Sequence, residues 1–169
     1  MSNNIQIYKP NKNNTGHACA FSQSPKDGTI FATLIKQSGW DATNNIGTFK
    51  DSKNDPTKNV NIKLGQTEVS AILDCLDKNR PFSTMHDGDK SIKSIQFVPW
   101  LNKPATPAEK PVQKGYSFSI TISDKQDSTS KVSLYIGLSF PEGRLIREFL
   151  IYALRNQFAP NVPVFVDDI

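Results

Sequence analysis

The feature that most constrains this chain is a predicted strand that runs directly into a long predicted helix, over residues 131–155. Apolar and polar residues alternate at the start of this segment, as in a strand with one buried face. Ser139 and Glu142 then have the spacing of a capping box, and Pro141 is tolerated in a first helical turn, so the helix should begin there. The apolar strand positions are Val132, Leu134, Ile136 and Leu138, and those of the helix include Leu145, Ile146, Phe149, Leu150 and Ala153.

A weaker copy of the same pattern occurs earlier in the chain, over residues 59–76. The corresponding pairs, all at one sequence offset, are Val60 and Leu134, Ile62 and Ile136, Leu64 and Leu138, Glu68 and Glu142, and Ile72 and Ile146. Because this offset is constant through strand, turn and helix, we interpret the two halves of the chain as structural repeats.

A chain of 169 residues forms about one domain, so the two halves should share one core. No apolar run is long enough for a membrane helix, and the N-terminus lacks an apolar signal core, so we expect a cytoplasmic protein, associated with a nucleoid or acting in a phage-infected host. Cys19 and Cys75 are too few for a disulfide scaffold or a metal knuckle, which favours reduced packing thiols. The expected segments are a flexible arm at 1–16, one domain at 17–159 with repeats at about 17–80 and 82–159, and an acidic, apolar tail at 160–169.

The first half should contain four strands followed by a helix. Lys26-Asp27-Gly28 predicts a hairpin turn, and residues 51–58 predict a polar loop because they contain no apolar side chain. Asn79-Arg80-Pro81 has the composition that ends a helix. The predicted strands are at about 17–23, 29–37, 46–50 and 59–64, and the predicted helix is at 67–78.

The second half repeats this order. His86-Asp87-Gly88-Asp89 predicts a hairpin turn, with a divalent-ion site as the alternative. Residues 101–114 include Pro104, Pro107 and Pro111 and predict an extended loop inside a hairpin, because a clean strand pattern follows them. The predicted strands are at about 82–86, 91–98, 116–123 and 131–138, and the helix should extend from Ser139 to about Phe158.

This order of elements resembles the Whirly family of single-stranded DNA-binding proteins. One half resembles the positive-cofactor-four type of transcription coactivator, which dimerises to reach the same arrangement. The resemblance covers residues 18–158 and depends on element order, on the paired strand-to-helix units and on the segment from Gly137 to Leu150. The Lys-Gly-Lys-Ala-type motif of plant members is absent. The resemblance implies an α+β fold in which two β-β-β-β-α repeats form antiparallel sheets, backed by two helices, whose free face binds single strands.

A face that binds single strands needs Lys or Arg beside phosphates and aromatic or apolar surfaces on which bases stack. Lys131 and Tyr135 share the polar face of the last strand, and Lys63 lies on the corresponding strand of the first half. The remaining candidates lie on strands or beside strand ends, and they are Lys36, Trp40, Phe49, Lys50, Lys93 and Phe97. For Tyr135 the alternative is ordinary sheet surface, and for Trp40, Phe97 and Trp100 it is partial burial in the core.

The leading interpretation is a non-enzymatic protein that coats single-stranded DNA in replication, recombination or transcription. The chain has no Gly-rich phosphate loop or nucleophile elbow and only two histidines, so neither catalytic residues nor a cofactor or metal is expected. The net charge of +4 favours polyanionic partners. RNA binding by the same face is one alternative, and a β-rich structural or assembly protein, such as a virion component, is another.

The final helix has more apolar surface than a small sheet covers, which predicts a homo-oligomer, a dimer or a tetramer. Ile151, Leu154 and Phe158 are the expected interface residues. The tail at 163–169 combines acidic and apolar residues, similar in chemistry to the tips by which many single-strand binders recruit partner enzymes. Replication or transcription proteins are therefore candidate partners of the tail, and a tail without a role is the alternative.

Overall fold

Two four-stranded antiparallel sheets, each followed by one helix, make up residues 3–159, the part of the chain that this computed structural model describes. The first unit comprises β1 (Asn3–Lys9), β2 (His17–Gln23), β3 (Ile30–Lys36), β4 (Gly39–Asp41), β5 (Ile46–Thr48), β6 (Asn59–Leu64) and α1 (Gln66–Lys78). The second comprises β7 (Phe82–Asp87), β8 (Ser91–Leu101), β9 (Gln113–Asp124), β10 (Lys131–Leu138) and α2 (Phe140–Phe158).

The strand order is β1-β2-β3-β6 in the first sheet and β7-β8-β9-β10 in the second, while β4 and β5 form a separate hairpin. The predicted α+β fold with two β-β-β-β-α units is therefore confirmed. Each helix also crosses to the other unit, because α1 contacts β7 and β8 whereas α2 contacts β1 and β2 as well as β9. Neither helix in residues 3–159 is long and apolar enough to span a membrane.

The flexible arm predicted at residues 1–16 is wrong for the residues described, because Asn3–Lys9 pairs with β2 along its whole length. Ile7 is buried and Ile5 packs beside it on the core, so two apolar side chains are enough to fix an edge strand. The buried amide of Gln37 then holds the following loop, since its Oε1 accepts from the Asn11 N–H at 2.9 Å and its Nε2 donates to the Asn11 carbonyl at 3.0 Å. The fourth strand of the first sheet is therefore β1, whereas the strand predicted at 46–50 is reduced to Ile46–Thr48 and pairs only with β4, outside this sheet.

The predicted end of β8 at Val98 is also wrong, because the strand continues through Pro99 and Trp100 to Leu101. Proline lacks the N–H that a strand donates to its neighbour and is tolerated where a strand has an open side. The pairing of β7 with β8 stops at Phe97, so Pro99 is paired with β9 and has no β7 residue opposite it.

The inward faces of both sheets and one face of each helix form a single core. Phe21 of β2 and Phe118 of β9 join the two sheets, with ring centroids 5.6 Å apart. Cys19 and Cys75 are free and buried in this core, which confirms their interpretation as packing thiols. Burial raises the pKa of Cys19 to about 12, with the Glu142 charge adding to the effect, so neither thiol chemistry nor metal binding is expected of it.

The capping predicted for α2 is confirmed, because the Glu142 N–H donates to Ser139 Oγ and the Ser139 N–H donates to Glu142 Oε2 at 2.7 Å. In α1 the Gly65 N–H donates to Glu68 Oε2 at 2.8 Å in the same way. The two helices are joined by Arg147, whose Nε donates to Asp77 Oδ1 at 2.5 Å.

Candidate nucleic-acid interface

The second sheet has a core-facing side and an outer face, because side chains alternate along each strand. On β10, Leu134 and Ile136 are buried, whereas Tyr135 between them is 59% exposed. Between residues 117 and 123, the outer face of β9, which lies next to β10, carries only short hydroxyl side chains, at Ser117, Ser119, Thr121 and Ser123. Aromatic side chains from neighbouring strands therefore project beyond their surroundings.

Trp100 lies over Gly137 on this outer face. A Cβ atom at position 137 would come within 2.6 Å of Cζ3 of the indole, so the indole rests on the backbone of β10 only because residue 137 is glycine. Lys114 extends over the same indole, with its Nζ 4.1 Å from the ring centroid, a distance typical of a cation–π interaction. The indole is 38% exposed, so one aromatic surface beside an ammonium group is open to solvent.

His17 at the start of β2 packs against Tyr135, with ring centroids 4.9 Å apart. The imidazole is buried, and burial together with the charge of Lys36 lowers the pKa of His17 below its ordinary value of 6.5, although a hydrogen bond to the Thr15 backbone works in the opposite direction. At neutral pH His17 is therefore uncharged and is an apolar support for the exposed tyrosine.

These side chains line one cavity of about 350 Å³ between the two sheets, which we call the corner groove. The first sheet contributes Lys9 and His17, and the second contributes Trp100, Lys114, Tyr135 and Gly137. Lys36 is not among the residues that line it, but it lies directly opposite His17 in the β2–β3 pair. The groove thus combines two exposed aromatic rings with ammonium groups from different strands.

The internal repeat allows the corner groove to be compared with its counterpart. Directly paired residues form rows that run across each sheet, and one row of the first sheet corresponds to one row of the second. The first row is Val60, Leu34, Cys19 and Ile7, and the second is Leu134, Ile120, Ile95 and Thr84. The next row on the same face lies two residues further along each strand. In that row Lys9 corresponds to His86, His17 to Lys93, and Lys36 to Ile122.

The ion pairs of the two corners also correspond. Lys9 Nζ lies 2.6 Å from Glu142 Oε1, and His86 Nε2 lies 2.6 Å from Glu68 Oε1, so each corner is fixed to the capping glutamate of the other unit's helix. The aromatic component differs, since Asn61 is the counterpart of Tyr135 and Lys63 is the counterpart of Gly137. The same backbone therefore carries stacking surfaces in one corner and polar side chains in the other.

A second candidate surface is the outer face of the first sheet. Ala18, Ala20, Phe31 and Ile35 form its centre, and Tyr8, 54% exposed, lies at its edge. Part of this face lines a cavity of about 310 Å³, and Lys53 lines the same cavity. Lys63 lies in the same cross-strand row as Phe31, but the face has a single large exposed aromatic ring, at Tyr8.

Of the nine predicted nucleic-acid contacts, Tyr135 lines the corner groove, Lys36 lies beside it as the cross-strand neighbour of His17, and Lys131 lies further along the outer face of β10. Lys63 is exposed on the other sheet, and Trp40 and Lys50 lie in or beside the β4–β5 hairpin. Lys93 is half-buried on the inward side of β8.

Two predicted contacts are corrected by their burial. Phe97 is fully buried and contacts Phe118 in the core, because its strand turns odd-numbered residues inward. Phe49 is 8% exposed and packs edge-on against Tyr8, which takes the exposed position instead. Neither phenylalanine offers a face on which a base could stack.

Sequence reasoning missed four residues of the groove, namely Lys9, His17, Trp100 and Lys114. Lys9 falls in the predicted arm and His17 at the start of a predicted strand, and Trp100 lies beyond the predicted strand at 91–98. The sequence contains two indications of this arrangement. Gly137 is a glycine within a strong strand pattern, and Trp100 and Lys114 lie at opposite ends of one predicted hairpin loop.

The turn after His86 is a hairpin between β7 and β8, as predicted. Besides the pairing of His86 with Glu68, Asp87 Oδ1 lies 2.5 Å from Lys125 Nζ. Two of the residues considered for a divalent ion, His86 and Asp87, therefore already have partners within the chain.

The three residues predicted for oligomer contacts differ in exposure. Phe158 is 66% exposed, Ile151 is half-buried and Leu154 packs against the core. Two further apolar residues of α2, Leu145 and Tyr152, are 48% and 49% exposed. The tail at 160–169 lies outside the described residues.

Comparisons with solved structures identify the same fold in Whirly proteins. WHY1 from Arabidopsis thaliana has a TM-score of 0.63 and 15% identity to this chain, with 91% of this chain and 84% of that one covered. WHY3 from Arabidopsis thaliana gives 0.62 and 15%, covering 92% and 88%, and the plant transcriptional regulator PBF-2 gives 0.61 and 14%, covering 96% and 90%. No family model matches the sequence, and no curated protein matches it significantly. The expected Whirly-like fold is thus confirmed.

Proposed function

We propose that this protein is a non-enzymatic single-stranded DNA-binding protein that uses the corner groove as its principal contact. The observation that carries the proposal is the exposure of Tyr135 and Trp100 beside Lys114 and Lys36 on an open sheet face. Unpaired bases stack on such rings, and ammonium groups contact the phosphates between them.

Single strands fit this groove better than a duplex does. In a duplex each base is already stacked between its neighbours and turns only its edges toward a protein. The groove offers flat rings at Tyr135 and Trp100, which can be used only by a base whose face is free. Lysines alone would attract both forms, because they contact phosphates without regard to base pairing.

The comparison of the two corners supports the proposal. Folding requires no aromatic residue at the position of Tyr135, since Asn61 occupies the corresponding place in the first unit. Tyr135 exposes most of its ring to water, where it adds little to core stability. A role in binding accounts for its position.

The likeness to Whirly proteins also favours single-stranded DNA as the ligand of this chain. The description of PBF-2 as a plant transcriptional regulator favours a role in transcription. Coating of unpaired strands in replication or recombination requires the same surface. RNA single strands present similar flat bases and the same phosphodiester charges, so an RNA homopolymer belongs in the test as a comparison.

The test uses the two tryptophans of the chain as separate reporters. With Trp40→Phe only Trp100 fluoresces, and with Trp100→Phe only Trp40 does. An oligothymidylate should quench Trp100 at micromolar concentration or below, whereas a duplex of equal length should need much higher concentrations. The affinity should also fall steeply with salt, by a logarithmic slope of about 0.7 for each phosphate contacted.

Equal affinity for duplex and single strand, or no binding of either, would overturn the proposed function. Quenching confined to Trp40 would move the interface to the β4–β5 hairpin. Oligouridylate bound more tightly than oligothymidylate would favour RNA as the ligand.

A further inference from the structure

Three basic residues lie side by side at the end of the first sheet, where it borders the corner groove. Lys9 is directly opposite His17 in the β1–β2 pair, and His17 is directly opposite Lys36 in the β2–β3 pair. Directly opposed residues project from the same side of a sheet, with Cβ atoms about 5 Å apart. The row therefore holds His17 between two lysine side chains, and the charge of Lys36 acts on the imidazole from the neighbouring strand.

The charges around this row leave an excess of positive charge. Lys9 is paired with Glu142, but Lys36 has no ion-pair partner among residues 3–159. Lys114 lies on the opposite wall of the groove, and Tyr135 covers the imidazole of His17. Lys9 and Lys114 line the groove and Lys36 lies beside His17 on the next strand, whereas Glu142 is the partner of Lys9 alone, and this positive excess favours the binding of an anion.

His17 is uncharged because of this environment. Burial and the nearby charge of Lys36 both oppose its protonation, and both depend on whether the groove is occupied. The hydrogen bond with the Thr15 backbone uses one ring nitrogen and favours the protonated form. The second nitrogen of a neutral imidazole is an acceptor, and it becomes a donor only when it takes up a proton.

We propose that the Lys9–His17–Lys36 row is a phosphate subsite of the corner groove, and that a single-stranded phosphodiester bound there is accompanied by uptake of one proton at His17. This inference rests on the proposed function. A phosphate beside Lys36 offsets the positive charge that disfavours protonated His17, and it gives the imidazolium a counter-charge. The counterpart row of the other unit, with Ile122 in place of Lys36, lacks this arrangement.

The sign of the effect follows from linkage. If the phosphate raises the pKa of His17, the bound protein holds more protons than the free protein between the two pKa values. Affinity then increases as pH falls through that interval, by at most about tenfold per pH unit for one proton. If a bound base only buried the imidazole further, the pKa would fall and affinity would decrease at low pH.

The experiment measures fluorescence anisotropy of a dye-labelled oligothymidylate between pH 8 and pH 5.5 at constant ionic strength. Neither thymine nor a phosphodiester titrates in this range, and the protein has only two histidines. Affinity should rise as the pH falls, and His17→Gln should remove most of this dependence. His86→Gln is the matched control, because His86 lies in the counterpart corner paired with Glu68, and it should retain the dependence.

A pH dependence that is absent, reversed or retained in His17→Gln would overturn the inference while leaving single-strand binding in place. Absence of binding at every pH would instead overturn the proposed function. The unsubstituted protein gives an independent check, since the imidazole proton resonances of its two histidines report their pKa values by NMR. Addition of the oligothymidylate should raise the pKa of His17, and a fall or no change would refute proton uptake.

Discussion

Gly137→Ala should weaken the binding of single-stranded DNA, although the substitution removes no side chain that contacts the DNA. The added Cβ would lie 2.6 Å from Cζ3, 2.8 Å from Cη2 and 3.0 Å from Cε3 of Trp100. Carbon atoms pack best at about 3.5–4.0 Å, so the indole has to move by about 1 Å or turn away from the sheet. It can do so cheaply, because the indole is 38% exposed and the Lys114 side chain over it is flexible, so thermal unfolding should change little.

The size of the effect is limited by what Trp100 contributes. One stacked base is worth about 1–3 kcal/mol, which corresponds to a change in affinity of roughly 5- to 150-fold. Trp100→Ala should show the whole of this loss. Gly137→Ala should fall between that variant and the unsubstituted protein, because the displaced ring can still contact a base in a less favourable orientation.

The assay is the anisotropy titration with oligothymidylate at fixed salt and neutral pH. Gly39→Ala is the matched control, since it makes the same chemical change in a strand of the β4–β5 hairpin, where the added Cβ meets only Thr48 Cγ2 at 3.0 Å. It should bind as the unsubstituted protein does. Unchanged affinity in both Gly137→Ala and Trp100→Ala, or an equal loss in the Gly39 control, would refute the role of the indole.

Four further predictions concern charge, assembly and the tail. Lys36→Ile, the residue type of the counterpart corner, should raise the thermal midpoint and lower the salt slope of binding by about 0.7, as titrations at several salt concentrations would reveal. Burial raises the pKa of Glu142, but hydrogen bonds from Lys9 and Ser139 outweigh it and lower the pKa below 4.5. Its contribution to stability is therefore complete above that pH and is lost as the pH falls below it, so Glu142→Gln should make thermal midpoints less dependent on pH between 6 and 3. Ile151→Asp should dissociate the expected oligomer, and a monomer by light scattering before substitution would refute the assembly. Deletion of residues 163–169 should raise single-strand affinity at low salt only, whereas an unchanged affinity would indicate a tail without this role.

The parts of the fold that follow from local patterns could be predicted from the sequence. The passage from β10 into α2 is determined by alternation, by a capping box and by a helical stripe, all within a few residues of one another. The edge strand β1 could not be found in this way, because only Ile5 and Ile7 mark it and the loop after it depends on Gln37, which lies far away in the sequence.

The corner groove was beyond local patterns for the same reason. Its residues come from β1, β2, β8, β9 and β10, and they meet only because the second sheet packs against the first. Lys131 and Tyr135 were found because they alternate with core residues on one strand. Trp100 was not, since its exposure depends on the backbone of Gly137 in a strand two places away in the sheet.

The two corners separate what the fold requires from what binding requires. Both have the same backbone pairing and the same contact with a capping glutamate, so these features stabilise the joined units. Two positions differ between the corners, since Lys36 corresponds to Ile122 and Tyr135 corresponds to Asn61. Lys36 is less favourable than isoleucine for an isolated sheet, and Tyr135 adds an exposed aromatic ring. A fold that accepts Ile122 does not need a third basic residue in the row, so the position of Lys36 beside His17 is the feature that the proposed phosphate subsite would account for.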